Sequence, residues 1–232
     1  MTGLFVTGTD TGVGKTVVGC ALLAALSDNG LRTVAMKPVA SGCHRSSAGL
    51  RNEDAEALQA VAAVKVPYEQ VNPVALEPAV APHLAAAQAG VEVDVPALAQ
   101  AARRLEADAD LLLVEGAGGW RVPLGATTGF ADLAVDLGYP VVLVVAIRLG
   151  CINHALLTAE AVRRDGLVLA GWVANVLDPD EPLQQEQIAS LQARLPAPLL
   201  GTLPPRPGAS PAEMGALLDI GPLVSRPGRT CD

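Results

Sequence analysis

Two lysines, a threonine and two carboxylates are the residues of this 232-residue chain whose types and spacing point to chemistry. Lys15 and Thr16 close the run Gly8-Thr9-Asp10-Thr11-Gly12-Val13-Gly14-Lys15-Thr16. Its glycines allow backbone N–H groups to turn inward around an oxyanion. A helix starting there would add its unpaired amides and positive dipole end. Lys15 can then reach the terminal phosphates of a nucleotide, and the Thr16 hydroxyl is placed for a Mg²⁺ between them. One departure stands out. The usual spacing puts a glycine at position 9, where Thr9 stands, so the loop is one residue longer when counted from Gly8.

Lys37 follows the apolar run Thr33-Val34-Ala35-Met36, and Pro38 ends it. Ligands of open α/β sheets sit beyond the carboxyl ends of the strands, so Lys37 belongs to the rim that carries the loop. A lysine snorkelling at a strand end is the plain alternative. Further on, Asp110-Leu-Leu-Leu-Val-Glu115 places four apolar residues before an acid. This resembles the second phosphate-site motif of nucleotide hydrolases, where a carboxylate contacts Mg²⁺ directly or through water. The small residues Gly116-Ala117-Gly118-Gly119 then allow backbone to approach a ligand closely. Asp54 sits where a helix opens, and a carboxylate there has an ordinary role against the helix dipole. His44, His83 and His154 share no metal-binding spacing, and no Ser/His/Asp or Cys/His constellation is evident.

Strands and helices must position these groups. The run Leu4-Phe5-Val6 before the loop reads as a buried parallel strand, and Val17 to Leu26 after it as a helix stopped at Asn29-Gly30. Further strands are expected at 33–36, 111–114, 141–146, 167–174 and 198–203. Helices are expected from an opening at Asn52-Glu53-Asp54 through Ala55 to Val61, over 95–107 and 130–137, from the Leu149 to His154 segment as far as Arg164, and over 182–194, with a small one near 212–218. Residues 39–50 read as a flexible polar loop over the rim, and the proline-punctuated 67–82 as an extended connection. The expected fold is a mainly parallel α/β sheet flanked by helices, a P-loop NTPase-like single domain over 1–224, with 225–232 as a flexible tail.

Composition agrees. Half of the residues are hydrophobic and only 3% are aromatic, so Ala, Val and Leu fill the core, as suits helices packed on a parallel sheet. A net charge of −8 without any Lys/Arg run makes nucleic acid or an anionic membrane a poor partner. Cys20, Cys43, Cys151 and Cys231 are scattered, with no C-x-x-C pair, so reduced thiols are the default. No basic leader precedes the loop, and the longest apolar run, 141–147, is too short to span a bilayer. A cytoplasmic protein is expected.

The motifs taken together resemble one family. Phe5-Val-Thr-Gly-Thr-Asp-Thr-Gly-Val-Gly-Lys-Thr16, Lys37-Pro-Val-Ala-Ser-Gly42, Val114-Glu-Gly-Ala-Gly-Gly-Trp120, Leu149-Gly-Cys-Ile-Asn-His154 and Ala170-Gly-Trp-Val-Ala-Asn175 resemble dethiobiotin synthetase, in order and as far as about Pro204. The resemblance implies ATP-dependent ring closure of 7,8-diaminononanoate with CO₂ in biotin synthesis. It implies that Lys15, Lys37 and Thr11 act at the reacting groups, and that Thr16, Asp54 and Glu115 hold Mg²⁺. Nucleotide contacts would come from Gly12, Val13, Gly14, Lys15, Thr16, Val17, Asp54, Glu115, Gly116, Ala117 and Gly118. Asn175 and Val176 would meet the base with Pro204, Pro205 and Arg206, and Glu213 would meet the ribose. Ser41 and the Gly118 N–H would orient the carbamate of the substrate. Gly150, Cys151, Ile152 and Asn153 open a helix with unpaired amides. In the resembled family that helix start takes the substrate carboxylate from the second subunit of a homodimer. Gly12 departs from the family, which commonly has an acidic side chain there. The rival reading, a nucleotide-switched partitioning or assembly ATPase, needs an extra lysine early in the loop, and Thr9, Asp10 and Thr11 occupy that region.

Overall fold

The computed structural model describes residues 2–224, so the expected tail at 225–232 lies outside the described residues. In chain order the first elements are β1 (Gly3–Gly8), α1 (Lys15–Asp28) and β2 (Thr33–Met36). A peripheral stretch follows, with β3 (Val39–Ala40), β4 (His44–Ser46), β5 (Gly49–Arg51), α2 (Glu53–Val61), α3 (Tyr68–Val71), β6 (Val74–Ala75), α4 (Pro82–Ala89) and α5 (Val95–Glu106). The chain then returns to the sheet through β7 (Leu111–Gly119), α6 (Phe130–Leu137), β8 (Val141–Ala146), α7 (Cys151–Arg164), β9 (Leu169–Asn175), α8 (Gln184–Gln192) and β10 (Leu199–Leu203). Two short helices, α9 (Pro211–Gly215) and α10 (Gly221–Val224), complete it.

Six strands form one parallel sheet in the order β10-β9-β8-β1-β7-β2. Successive side chains of a strand point to opposite faces, and here both faces are dry. Val141, Leu143 and Val145 enter one core with α4 to α8, while Val142 and Val144 enter the other with α1, α2, α9 and α10. This explains why β8 is a continuous apolar run rather than an alternating one. The phosphate loop leaves the central strand β1, so it emerges between neighbours on both sides. Beside it the register between β1 and β7 slips: Val6 faces Glu115, but Gly8 faces Gly119. The extra residues lift Gly116 to Gly118 out of regular pairing at the rim. Among the described residues no helix is long and apolar enough to cross a membrane.

The central strands and their crossing helices fall where the sequence predicts them, and the periphery does not. Residues 39–50 are no plain loop. They hold β3, which pairs with β6, and the β4–β5 hairpin, tied to Glu77 by a two-pronged Arg45 contact at 2.9 and 2.6 Å. The stretch 67–82 contains α3 and β6 instead of a bare connection, and the Ala-rich α4 begins at Pro82. Pro82, expected to close the extended connection, is a helix-starting proline, where no intrahelical N–H is needed.

The α9 segment docks closely on α1. A Cβ added to Gly215 would lie 2.7 Å from the Ala21 carbonyl oxygen, a backbone atom that cannot give way. Gly215→Ala should therefore lower the unfolding free energy by about 1–3 kcal/mol, the usual scale of overpacking. Urea denaturation checks this, and an unchanged midpoint would show that α9 is not held against α1.

Candidate active site

The loop is shaped by two left-handed glycines, Gly12 at φ 73° and Gly14 at φ 85°. Among the described residues Leu183 is the only non-glycine with positive φ, so Thr9 sits in an ordinary conformation. The departure at position 9 therefore carries no backbone penalty, because the left-handed turns fall elsewhere. The Thr9 amide donates to the Val144 carbonyl at 3.1 Å, anchoring the loop to β8. Gly14 is backed by Asn175 at the end of β9. An added Cβ at Gly14 would collide with the Asn175 amide group, whose Nδ2 donates to the Val13 carbonyl at 2.9 Å. At Gly12 an added Cβ meets nothing within 4 Å, so space is open there and only the backbone disfavours a side chain.

Lys15 begins α1 and is buried, with Nζ donating to the Asp10 carbonyl at 3.1 Å. Burial first, and the Lys37 charge second, bring its pKa down to about 8. The Asp10 carboxylate accepts from the Thr11 amide at 2.7 Å and pairs with Arg148 at 3.1 Å, which steadies the turn.

Lys37 stands at the end of β2 and only 3% of it is exposed. Its ammonium donates to Glu115 Oε1 at 2.5 Å and to Asp54 Oδ2 at 3.0 Å, with the Gly116 carbonyl at 3.4 Å. The Thr16 hydroxyl donates to the same Glu115 oxygen at 2.9 Å. Burial alone would lower the Lys37 pKa, but Glu115 and Asp54 overturn that and hold it above the ordinary lysine value. Partial burial would raise the Asp54 pKa, and Lys37 overcomes this by charge and hydrogen bond, holding the carboxyl below its usual range. Glu115 is wholly buried, and its Oε2 has no hydrogen-bond partner.

A hydroxyl and two carboxylates thus converge, with the unpartnered Glu115 Oε2 turned toward Gly19 of α1 rather than into the cleft. Hard oxygens of this kind suit Mg²⁺, which keeps water and takes substrate phosphates as ligands. Among the described residues no group of three or more His, Cys, Asp or Glu gathers.

One cleft of about 700 Å³ is lined by Thr11, Gly12, Gly14, Lys15, Thr16, Val17, Lys37, Ser41, Asp54, Ala117 and Gly118, all expected from the sequence. Gly118 has φ 64°, and an added Cβ would lie 3.3 Å from the Thr11 hydroxyl, so the two turns nearly touch. Sequence reasoning missed the other wall, Ala79 to Pro82 with Asn52 and Val122. Only the prolines around 78–82 could have signalled it, as a rigid edge.

Other expected residues lie outside this cleft. Val13 points into the core beneath the loop. Asn175 uses its amide on Val13, and the Val176 N–H donates to Leu203, leading to Pro204, Pro205 and Arg206 at the end of β10. The Glu213 carboxylate accepts from the Ser210 amide and hydroxyl at 2.8 and 2.7 Å, closing the cap of α9. Gly150, at φ 92°, starts α7, and the Cys151 thiol donates to Gln187 at 3.1 Å. Intrahelical bonding begins at His154, but the Cys151 amide, expected to be unpaired, donates to the Arg148 carbonyl at 3.0 Å, because the chain turns tightly into the helix there.

The chain matches the family model described as AAA domain over residues 2–213. It is 56% identical over 224 residues to the ATP-dependent dethiobiotin synthetase BioD of Pseudomonas paraeruginosa, covering 96% of this chain and 98% of that protein. It is 57% identical over 220 residues to the BioD of Cellvibrio japonicus, covering 95% and 96%. The chain belongs to the dethiobiotin synthetase family. Solved structures agree on the fold. The synthetase chain resembles the septum site-determining protein MinD complexed with Mg-ADP from Pyrococcus horikoshii, with a TM-score of 0.53 and 17% identity over 95% of this chain and 88% of that one. It also resembles the MinC:MinD complex of Aquifex aeolicus, with a TM-score of 0.55 and 13% identity over 92% and 86%. At such identities the likeness carries the P-loop architecture alone.

The low Lys15 pKa has a measurable consequence in this synthetase. The free protein loses the Lys15 charge as pH rises through about 8, whereas a bound phosphate favours the ammonium and raises its pKa. ATP binding at about pH 9 should take up close to one proton, and well below the Lys15 value almost none. Calorimetry in buffers of different ionisation enthalpy reads this directly. Equal proton uptake in Lys15→Met would assign the proton to another group.

Proposed function

We propose that the chain catalyses ATP-dependent closure of 7,8-diaminononanoate and CO₂ to the cyclic urea dethiobiotin, releasing ADP and phosphate, within biotin biosynthesis. The observation that carries this reading is near-full-length identity above 50% to named synthetases in a chain whose Lys15 and Lys37 line one cleft.

The residues suit the steps. One amine takes up CO₂ as a carbamate, and a carbamate oxygen attacks the γ-phosphorus as ADP leaves. The second amine then attacks the carbonyl carbon of the resulting carbamic–phosphoric anhydride, and phosphate departs. Each transfer needs positioning and charge neutralisation more than a protein nucleophile. Lys15 serves the phosphoryl oxygens, and Lys37, charged throughout, serves the carbamate side. Thr11, Ser41 and the Gly118 N–H orient the carbamate. Thr16, Asp54 and Glu115 would hold Mg²⁺, which supplies charge neutralisation of the phosphate oxygens when bound.

The nucleotide base and ribose are assigned to Asn175, Val176, Pro204 to Arg206 and Glu213. Glu213 needs its free oxygen for this, since its other one caps α9. The substrate carboxylate is assigned to the first turn of α7 in a second copy of the chain, supported by the exposed Leu149 and Leu157 beside it. A helix start of this kind offers amide donors to an anion. An ATP-consuming biosynthetic role suits a cytoplasmic protein.

ADP formation should appear only when diaminononanoate and bicarbonate are both present. Lys37→Ala should lower kcat by roughly 10²-fold or more, on the scale of losing a preorganised charge, with ATP affinity changed far less. Diamine-independent turnover at the same rate would favour a nucleotide switch instead.

A further inference from the structure

Lys37 and Asp54, whose roles in the proposed reaction this inference takes as given, come from separate elements 17 residues apart. Their meeting depends on what lies beneath them. The Lys37 main chain is held on both sides: its N–H donates to the Val71 carbonyl at 2.7 Å, and its carbonyl accepts from Asn72 Nδ2 at 2.7 Å. Asn72 Oδ1 accepts from the Tyr68 hydroxyl at 3.1 Å. The Tyr68 hydroxyl oxygen accepts from the Asn52 backbone N–H at 2.8 Å. Asn52 in turn caps α2, its side-chain oxygen accepting from Ala55 N–H at 3.3 Å. Asp54 is the second residue of that helix. A continuous hydrogen-bonded path therefore joins the backbone of the ammonium to the helix that carries its carboxylate.

The direction of every bond in the path is fixed. A backbone N–H can only donate, so the Tyr68 oxygen accepts from Asn52 and its single proton goes to Asn72. That sets the Asn72 amide with its oxygen toward Tyr68 and its NH₂ toward Lys37. Asn72 is 3% exposed and Tyr68 8%, so neither can trade its partner for water. The Arg51 guanidinium lies over the Tyr68 ring, 4.1 Å from its centre, and holds the ring in place. A buried network of this kind is satisfied as a whole or strained as a whole.

We propose that Tyr68 and Asn72 are positioning residues for the reaction: through this path they set the distance between Lys37 and Asp54. Removing the Tyr68 hydroxyl leaves Asn52 N–H and Asn72 Oδ1 without partners, and the start of α2 shifts to find new ones. Small misplacements of charged groups in a site are costly to turnover and cheap to binding at a distance.

The test is a kinetic double-mutant cycle. Tyr68→Phe keeps the ring and the cation contact. It should lower kcat about tenfold with the ATP KM changed less than about twofold. In an Asp54→Asn background the same substitution should lower kcat less than about twofold, because its target has already gone. Asn72→Leu, which keeps the volume but can neither donate to Lys37 nor accept from Tyr68, should show the same loss and the same dependence on Asp54. A tenfold loss in both backgrounds, or full activity in folded Tyr68→Phe, would overturn the proposal. So would failure of both variants to fold, which would make the network a requirement of the fold at large. An Asp54→Asn enzyme with unchanged turnover would instead sink the functional reading from which the inference starts.

Discussion

The buried charge of Glu115 is the constraint on which the site depends. A wholly buried carboxylate must find a cationic partner, and Lys37 provides it while Thr16 supplies a hydroxyl to the same oxygen. These contacts tie the ends of β7 and β2 to the first turn of α1, and the second arm of Lys37 brings in α2 through Asp54. Four elements are thus located by one cluster of charges. Taking two ions out of water costs several kcal/mol for each, so such a pair adds little net stability. What it gives is a charged ammonium fixed between two carboxylates at the rim that carries the phosphate loop.

The two lysines of the site differ in a way that suits their places. Lys15 is desolvated against only a backbone carbonyl, and its proton is loosely held. Lys37 is deeper, yet its carboxylates keep it charged. One cation is therefore held charged by its carboxylates, while the other gives up its proton as pH rises through about 8. Neither needs to act as a nucleophile, and among the described cysteines Cys20, Cys43 and Cys151 are all buried, with burial raising each thiol pKa and disfavouring the thiolate.

Much of this was legible in the sequence, for physical reasons. Parallel strands buried on both faces leave long apolar runs, so β2, α2, α6, β8 and α7 fall within the predicted limits. Residues that lie next to strand ends, such as Lys37 and Glu115, inherit their position from the sheet. The periphery was illegible because its pairings are distant and short. β3 and β6 are two residues each and carry no periodicity of their own. Tyr68 and Asn72 looked like parts of a proline-rich connection, and only their partners in space give them a task. Asn175 was expected at a nucleotide base, while its visible work in the free protein is to hold the Val13 carbonyl and crowd Gly14. The threonine at position 9 looked like a flaw in the loop, and its ordinary backbone shows why it is none.

The cleft carries two lysines, Lys15 and Lys37, and the proposed reaction passes the phosphoryl group between substrates rather than through the protein. The most direct measurement follows the oxygen atoms. With freshly mixed CO₂ labelled with ¹⁸O, diaminononanoate and ATP, a carbamate oxygen becomes the bridge to phosphorus and leaves with it when the ring closes. Mass spectrometry of the products should find one labelled oxygen in each released phosphate and one in the urea carbonyl. Phosphate carrying no label from CO₂ would contradict the mechanism, because its fourth oxygen would then have come from water.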